Sequence, residues 1–277
     1  MQRFIGHDGW AMIGNSSFYF ANYFDWIFTQ DTMIKKTETP RHVYIKIDYL
    51  NKYCDELQQI KNDFILITGC SDYSPQINFK ESYLKIIDLP HLKKWYAENN
   101  LSNHPKMYSL TVGFATHTKE YEDNLLAIRK DINIEHKINK IFCCWRQRDG
   151  NCCGDEFIER GRMTNFIYNY PNIFSTHNDC FSTIDFQKRL AQYKWSLCPL
   201  GNGVDCAPKI VECFFLKTIP IVKRNVNVLN LYQKYPVIWV DNFTDILHMN
   251  LDYDMTIDWD YIINEFTCDY WYNKIIE

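Results

Sequence analysis

The residues best placed to do chemistry cluster in CPLGNGVDCAPKIVECF, positions 198 to 214. Gly201 and Gly203 flank Asn202, Asp205 follows, and Pro208 stands where a helix can begin. Glycine admits φ > 0 and lets a ligand approach the main chain closely. Proline in a first turn loses no hydrogen bond, because its N–H would have no intrahelical partner there. Lys209 and Glu212 then share one face near the start of the helix, while Ile210, Val211, Phe214 and Phe215 supply its buried side. A lysine at that end opposes the helix dipole, which a phosphate bound to the free N–H groups would offset. Glu212 can accept from ribose hydroxyls. The plainer reading is a dipole-favoured glutamate and a solvated lysine. No G-K-[ST] follows the loop and no G-x-G-x-x-G is present, so neither a Walker loop nor a nicotinamide cofactor is indicated.

The surrounding elements must place this loop at a sheet edge. HVYIKIDY (42 to 49) and DFILITG (63 to 69) read as strands around a helical NKYCDELQQIKN (51 to 62). HLKKWYAENN (91 to 100) has helical composition. In the second half, KINKIFCCW (137 to 145), KWSLCPL (194 to 200), TIPIVK (218 to 223) and YPVIWVD (235 to 241) read as strands. The segments 156 to 170, 181 to 193, 208 to 217 and the tail from about 257 read as helices. Alternating strands and helices predict parallel sheets covered by helices. The 198 to 207 loop then lies at the C-terminal edge of its sheet, where ligands bind in open α/β folds. A charged segment near 125 to 137 is the expected linker, which divides the chain into units 1–130 and 131–258 and a terminal helix 259–277.

Composition narrows the class. The 277 residues carry 30 basic and 34 acidic side chains, a net charge of −4, which argues against a general nucleic-acid binder. No apolar run reaches membrane-span length, and the N-terminus lacks the pattern of a signal peptide. The expectation is a soluble, cytoplasmic protein whose 11 cysteines are mostly reduced.

The stretch YKWSLCPLGNGVDCAPKIVECFFLKTIPIVKRN (193 to 225) resembles the donor-binding segment of exostosin-like glycosyltransferases of the GT-B fold, including versions from large DNA viruses and algae. The shared pattern is Y-K-F-x-L-C-P-x-G-N-G-x-D, then a basic residue, Glu, a short apolar run and G/T-x-I-P-I-V. FILITGCSDYSP (64 to 75) and LKKWYAENNLSNHPKMYSLTVGF (92 to 114) are similar to earlier segments of that family, the second through K-W-[FY]-A-x-N and H-P-K. Two departures stand out: the family's His-Asn is Gly69-Cys70 here, and its His-Arg is Pro208-Lys209. Lysine keeps the charge but loses the bidentate fork of arginine.

The resemblance implies two Rossmann-like domains facing a cleft, with a C-terminal crossover helix. It implies transfer of a sugar from a nucleoside diphosphate to a hydroxyl of a glycan or glycoprotein, inverting and without a bound metal or other cofactor. UDP-sugars are favoured, xylose among them, and GDP-sugars are an alternative. Gly201, Asn202, Gly203, Asp205, Lys209 and Glu212 are the expected donor contacts. Arg146, Arg160 and Arg162 are candidates for a second diphosphate contact. Direct displacement at an anomeric carbon needs a general base. Asp72, in a loop after an apolar strand, is the first candidate, followed by His7 and Asp8 in GHDGW and by His117.

Three rival readings remain. A non-catalytic nucleotide- or sugar-binding module could keep the scaffold. DYD (252 to 254) and DWD (258 to 260) resemble the D-x-D motif of metal-dependent GT-A enzymes, with Asp252 and Asp254 as ligands, although a capped polar loop suits their position better. Cys143, Cys144, Cys152 and Cys153 are four thiols without the usual zinc spacing.

Overall fold

The computed structural model describes residues 23–114, 118–148, 150–177 and 181–277. His7, Asp8 and His117 lie outside them. Among the described residues the strands are β1 (Trp26–Phe28), β2 (Met33–Lys35), β3 (His42–Lys46), β4 (Phe64–Gly69), β5 (Leu92–Ala97) and β6 (Met107–Ser109), then β7 (Ile138–Cys144), β8 (Phe174–His177), β9 (Tyr193–Leu197), β10 (Ile219–Lys223) and β11 (Ile238–Val240). The helices are α1 (Leu50–Gln58), α2 (Pro75–Asn78), α3 (Lys80–Ile87), α4 (Lys119–Lys130), α5 (Arg160–Tyr168), α6 (Thr183–Leu190), α7 (Lys209–Phe215), α8 (Val226–Tyr232), α9 (Trp259–Asn264) and α10 (Cys268–Ile276). They form two α/β units, each built on a parallel or mainly parallel sheet.

The first sheet has the order β2-β1-β3-β4-β5-β6. Only the β1–β2 pair is antiparallel. From β1 to β6 the parallel strands follow chain order, so right-handed crossovers put their helices on one face. Side chains alternate accordingly. Val43, Ile45, Leu66 and Trp95 pack with Leu50, Tyr53 and Leu57 of α1 and Ile86 of α3. Ile27, Tyr44, Ile67 and Tyr96 point the other way and join the core of the second unit.

That second face is closed from far along the chain. The Tyr23 ring lies 4.0 Å from that of Tyr272, and Tyr96 donates its hydroxyl proton to the Lys274 carbonyl at 2.9 Å. The tail expected to be one helix is two, α9 and α10. Thr267 breaks it, accepting the Tyr270 N–H as the cap of α10.

The second sheet is wholly parallel, with the order β11-β10-β9-β7-β8. The chain leaves β7 for β8 on one side, returns to β9 on the other, and continues outward to β10 and β11. The strand order therefore reverses between β7 and β9, the switch point at which open α/β sheets form their ligand-binding crevice.

Two expectations are corrected. Residues 92–97 are a strand, not a helix, with Leu92, Trp95 and Ala97 on one face and Tyr96 on the other. Much of the expected linker is helix α4, capped by Thr118 and burying Tyr121 and Leu125. It packs against α6 of the second unit.

Candidate functional site

Two regions gather the chemistry-bearing residues: the crevice between β7 and β9, and the adjoining seam where the C-terminal ends of β4 and β5 meet the 198–207 loop.

Lys209 stands in the crevice. Its ammonium donates to the carbonyls of Cys144 and Leu197, at 3.2 and 2.7 Å, the last residues of β7 and β9. The rings of Phe142, Trp145 and Phe186 surround it at 5.4, 5.7 and 5.9 Å. Two of its three N–H donors are thus engaged and the third has no partner among the described residues.

Arg160 reaches the loop that follows β9. Its Nε donates to the Leu200 carbonyl at 2.8 Å and its Nη1 to that of Arg146 at 3.3 Å. A Cβ on Gly201 would stand 3.4 Å from its Nη2. Arg160 is the arginine of the three that reaches the glycine loop, while the Arg146 and Arg162 side chains are exposed. Glu159 is buried, and its Oε2 accepts the Leu200 N–H at 2.8 Å. Burial pushes its pKa up to about 7, against the opposing pull of that N–H, Lys223 and Arg160.

At the seam, Asn99 holds the two units together. Its Oδ1 accepts from the N–H groups of Val204 and Asp205, at 2.8 and 3.2 Å, and its Nδ2 donates to the Ser71 carbonyl at 3.0 Å. Asn202 donates to Asp72 Oδ2 at 3.0 Å, across 130 residues of sequence. Asn151 donates to the carbonyls of Gly201 and Gly203, and Cys152 N–H to that of Asn202. Cys70 and Asn99 end adjacent strands in left-handed backbone, with φ of 63° and 51°. Such conformations are held only where surrounding contacts over-determine them. Glu98 is buried between them. Its Oε2 accepts the Cys70 N–H at 2.8 Å, its Oε1 has no hydrogen-bond partner among the described residues, and burial raises its pKa well above the usual range.

The geometry changes how several expected contacts are read. Neither Gly201 nor Gly203 has positive φ. Gly203 is required by close approach: a Cβ there would lie 2.4 Å from Asn99 Oδ1 and 2.8 Å from the Asp72 carbonyl. The N–H groups of Ile210 and Glu212 are taken by the carbonyls of Cys206 and Pro208. Glu212 is buried, and its Oε1 accepts from Tyr121 and Gln187. Burial raises its pKa, although those two donors and the Lys209 charge oppose the shift. Asp205 is likewise buried, bridging Val112 N–H, Ala207 N–H and the Tyr232 hydroxyl at 3.1, 3.0 and 2.9 Å. Asp72 stays half-buried at the seam, facing the glycine loop.

The rival constellations are also placed. Asp252 Oδ1 accepts the Tyr253 N–H, and Asp254 Oδ1 accepts from Thr256 N–H and Oγ1, so both carboxylates brace local turns. Cys143 is buried on β7, whereas Cys153 donates to the Asp72 carbonyl. Among the described residues no three His, Cys, Asp or Glu side chains are grouped to hold a metal ion, and no helix is long and apolar enough to cross a membrane.

Asn99 entered the sequence reading only as the last letter of K-W-Y-A-E-N. Its pairing with G-N-G across the seam is visible only in three dimensions. No family model matches the chain, and no curated protein does.

Proposed function

We propose that the chain is a GT-B-type glycosyltransferase that takes a nucleoside-diphosphate sugar, UDP favoured and GDP the alternative, in the crevice between β7 and β9. The carrying observation is Lys209, fixed between the carbonyl ends of β7 and β9 where the strand order reverses, with Arg160 beside Gly201. Lys209 at the switch point and Arg160 at the glycine loop are two cations set on rigid elements, suited to a diphosphate. The motifs that carry the resemblance also meet at the seam, since Asn99 and Asp72 of the first unit bond the G-N-G-V-D loop of the second.

In this reading the acceptor hydroxyl approaches from the side of the first sheet. Its oxygen forms a bond to the anomeric carbon as the bond from that carbon to the diphosphate oxygen breaks. The diphosphate leaves with the electron pair, and Lys209 and Arg160 stabilise its charge. The hydroxyl proton passes to a carboxylate, for which Asp72, at the seam, is the candidate among the described residues. The anomeric configuration inverts, and the side chains named supply the positive charge.

A second reading, a non-catalytic binding module on the same scaffold, is favoured by one observation: Asp72 Oδ2 is already bonded to Asn202. Thermal shift with UDP, GDP, CMP and their sugars, with and without EDTA, tests the first part. A folded-state ligand raises the melting temperature. A shift with one nucleotide family that is abolished in Lys209→Met is expected. No shift with any nucleotide at millimolar concentration overturns the donor-site reading. Donor hydrolysis or transfer, lost in Asp72→Asn, separates the enzyme from the module.

A further inference from the structure

The H-P-K stretch at 104 to 106 has no part in the donor crevice, yet it shapes a cavity. Lys106 donates its ammonium protons to the carbonyls of Ile87 and Leu89, at 3.0 and 2.9 Å, closing the end of α3. Its backbone N–H donates to His104 Nδ1 at 3.2 Å. In the neutral ring that bond leaves the proton on Nε2. His104 is in the wall of a cavity of about 360 Å³ between β6, α8 and α10, at the small end of the range for small-molecule sites.

The lining suits a ligand with hydroxyls around an apolar face. Tyr108 is 39% exposed, and its ring stacks on Tyr96 with centroids 5.1 Å apart and an interplanar angle of 28°. Ser109, Asn103 and Asn230 add neutral polar groups. The lining contains no carboxylate, and its one lysine, Lys274, holds its ammonium 4.4 Å from the Trp271 ring centroid.

The cavity is tied to the seam. Asn100 donates its side-chain amide to the Ser102 carbonyl and to Ser109 Oγ, both at 3.2 Å, fixing the wall. Its backbone N–H donates to Asn227 Oδ1 at 3.0 Å. Asn227 and Asn230 lie three residues apart on α8, so the cavity opens one helical turn from the seam.

We propose that this cavity is a saccharide subsite, holding a neutral sugar residue of the acceptor on Tyr108 while the reacting hydroxyl reaches the seam. The proposal rests on the glycosyltransferase reading. Saturation-transfer NMR tests it, with millimolar methyl glycosides of glucose, galactose, N-acetylglucosamine and xylose, and with UDP and GDP as separate probes. At least one glycoside is expected to bind the wild type, about tenfold more weakly to Tyr108→Ala and to Asn230→Ala, and normally to Tyr108→Phe, which keeps the stacking face. Nucleotide binding should be unchanged in all three variants. Glycoside binding insensitive to Tyr108→Ala and Asn230→Ala overturns the proposal. So does nucleotide binding without any glycoside binding, which leaves the donor site standing. Loss of nucleotide binding in Tyr108→Ala makes the cavity a base site and overturns the subsite. Binding of neither class overturns both readings.

Discussion

Gly203 has no room for a methyl group, and Gly201 has. The contacts an added Cβ would meet at 203 include the Asp72 carbonyl, which cannot swing aside as a side-chain tip can. Gly203→Ala is expected to lower unfolding free energy by about 2 to 3 kcal/mol, as overpacking does, and Gly201→Ala by much less. Urea denaturation of both variants checks the contrast. Equal effects would mean the seam is not close-packed. Glu159 gives a pH signature. Its folded pKa, about 7, lies above the ordinary 4.5. The folded state therefore holds the proton more tightly, and the stabilisation is complete below pH 4.5 and lost as pH rises through 7. Glu159→Gln should flatten that fall, which amounts to up to about 3 kcal/mol. Melting temperatures of both proteins between pH 4.5 and 8 measure it. Such roles were invisible beforehand. Glu212 and Asp205 carry the residue types of ligand contacts, but their partners lie 91 and 93 residues away at Tyr121 and Val112. Asp205 also accepts the Ala207 N–H two residues on, but that local bond does not tell a buried bridge from a ribose acceptor.

At the scale of elements, legibility followed length and punctuation. β9, α7 and β10 are short but bounded by Pro, Gly and charged residues, and their order was readable. β5 is hidden in the sequence because LKKWYA combines helix-favouring residues with burial on both faces at its end, which leaves no clean alternation over six positions. α4 resembles a linker in sequence because its exposed face is charged, while its apolar stripe is only Tyr121, Leu125 and their neighbours. Tertiary contact decides both cases. The doubly wound order of the second sheet, which makes the crevice, follows from strand pairings that composition does not encode. α10 tests how much the crossing tail contributes. Trp271 and Ile275 are buried in it. Trp271→Ala should cost about 3 to 5 kcal/mol, read as a lower denaturation midpoint. A change below about 1 kcal/mol would mean the helix is loosely docked.

For the whole molecule, one apolar cluster runs from Phe24, Tyr44 and Tyr96 through Leu197 and Val211 to Trp271. The Asn99 latch joins the two units beside it. The halves should therefore unfold together, with calorimetric and van't Hoff enthalpies equal. Two separated transitions would show that the units are thermodynamically independent. The same latch limits hinge motion. Small-angle scattering should show an unchanged radius of gyration on adding a nucleotide that binds, whereas Asn99→Ala, with the latch cut, should allow a measurable change.

The one-sided winding of the first sheet bears on how the chain is made. A ribosome delivers β1 to β6 with α1 and α3, enough to finish one face, long before the residues that cover Ile27, Tyr44, Ile67 and Tyr96 exist. Until α10 emerges, the Tyr96 side of that half lacks its bond to Lys274, and an incompletely packed apolar face is the kind of surface that chaperones hold and that sticks to its copies. Chains that end after β6 but before Trp271 are therefore expected to aggregate more readily than the full chain.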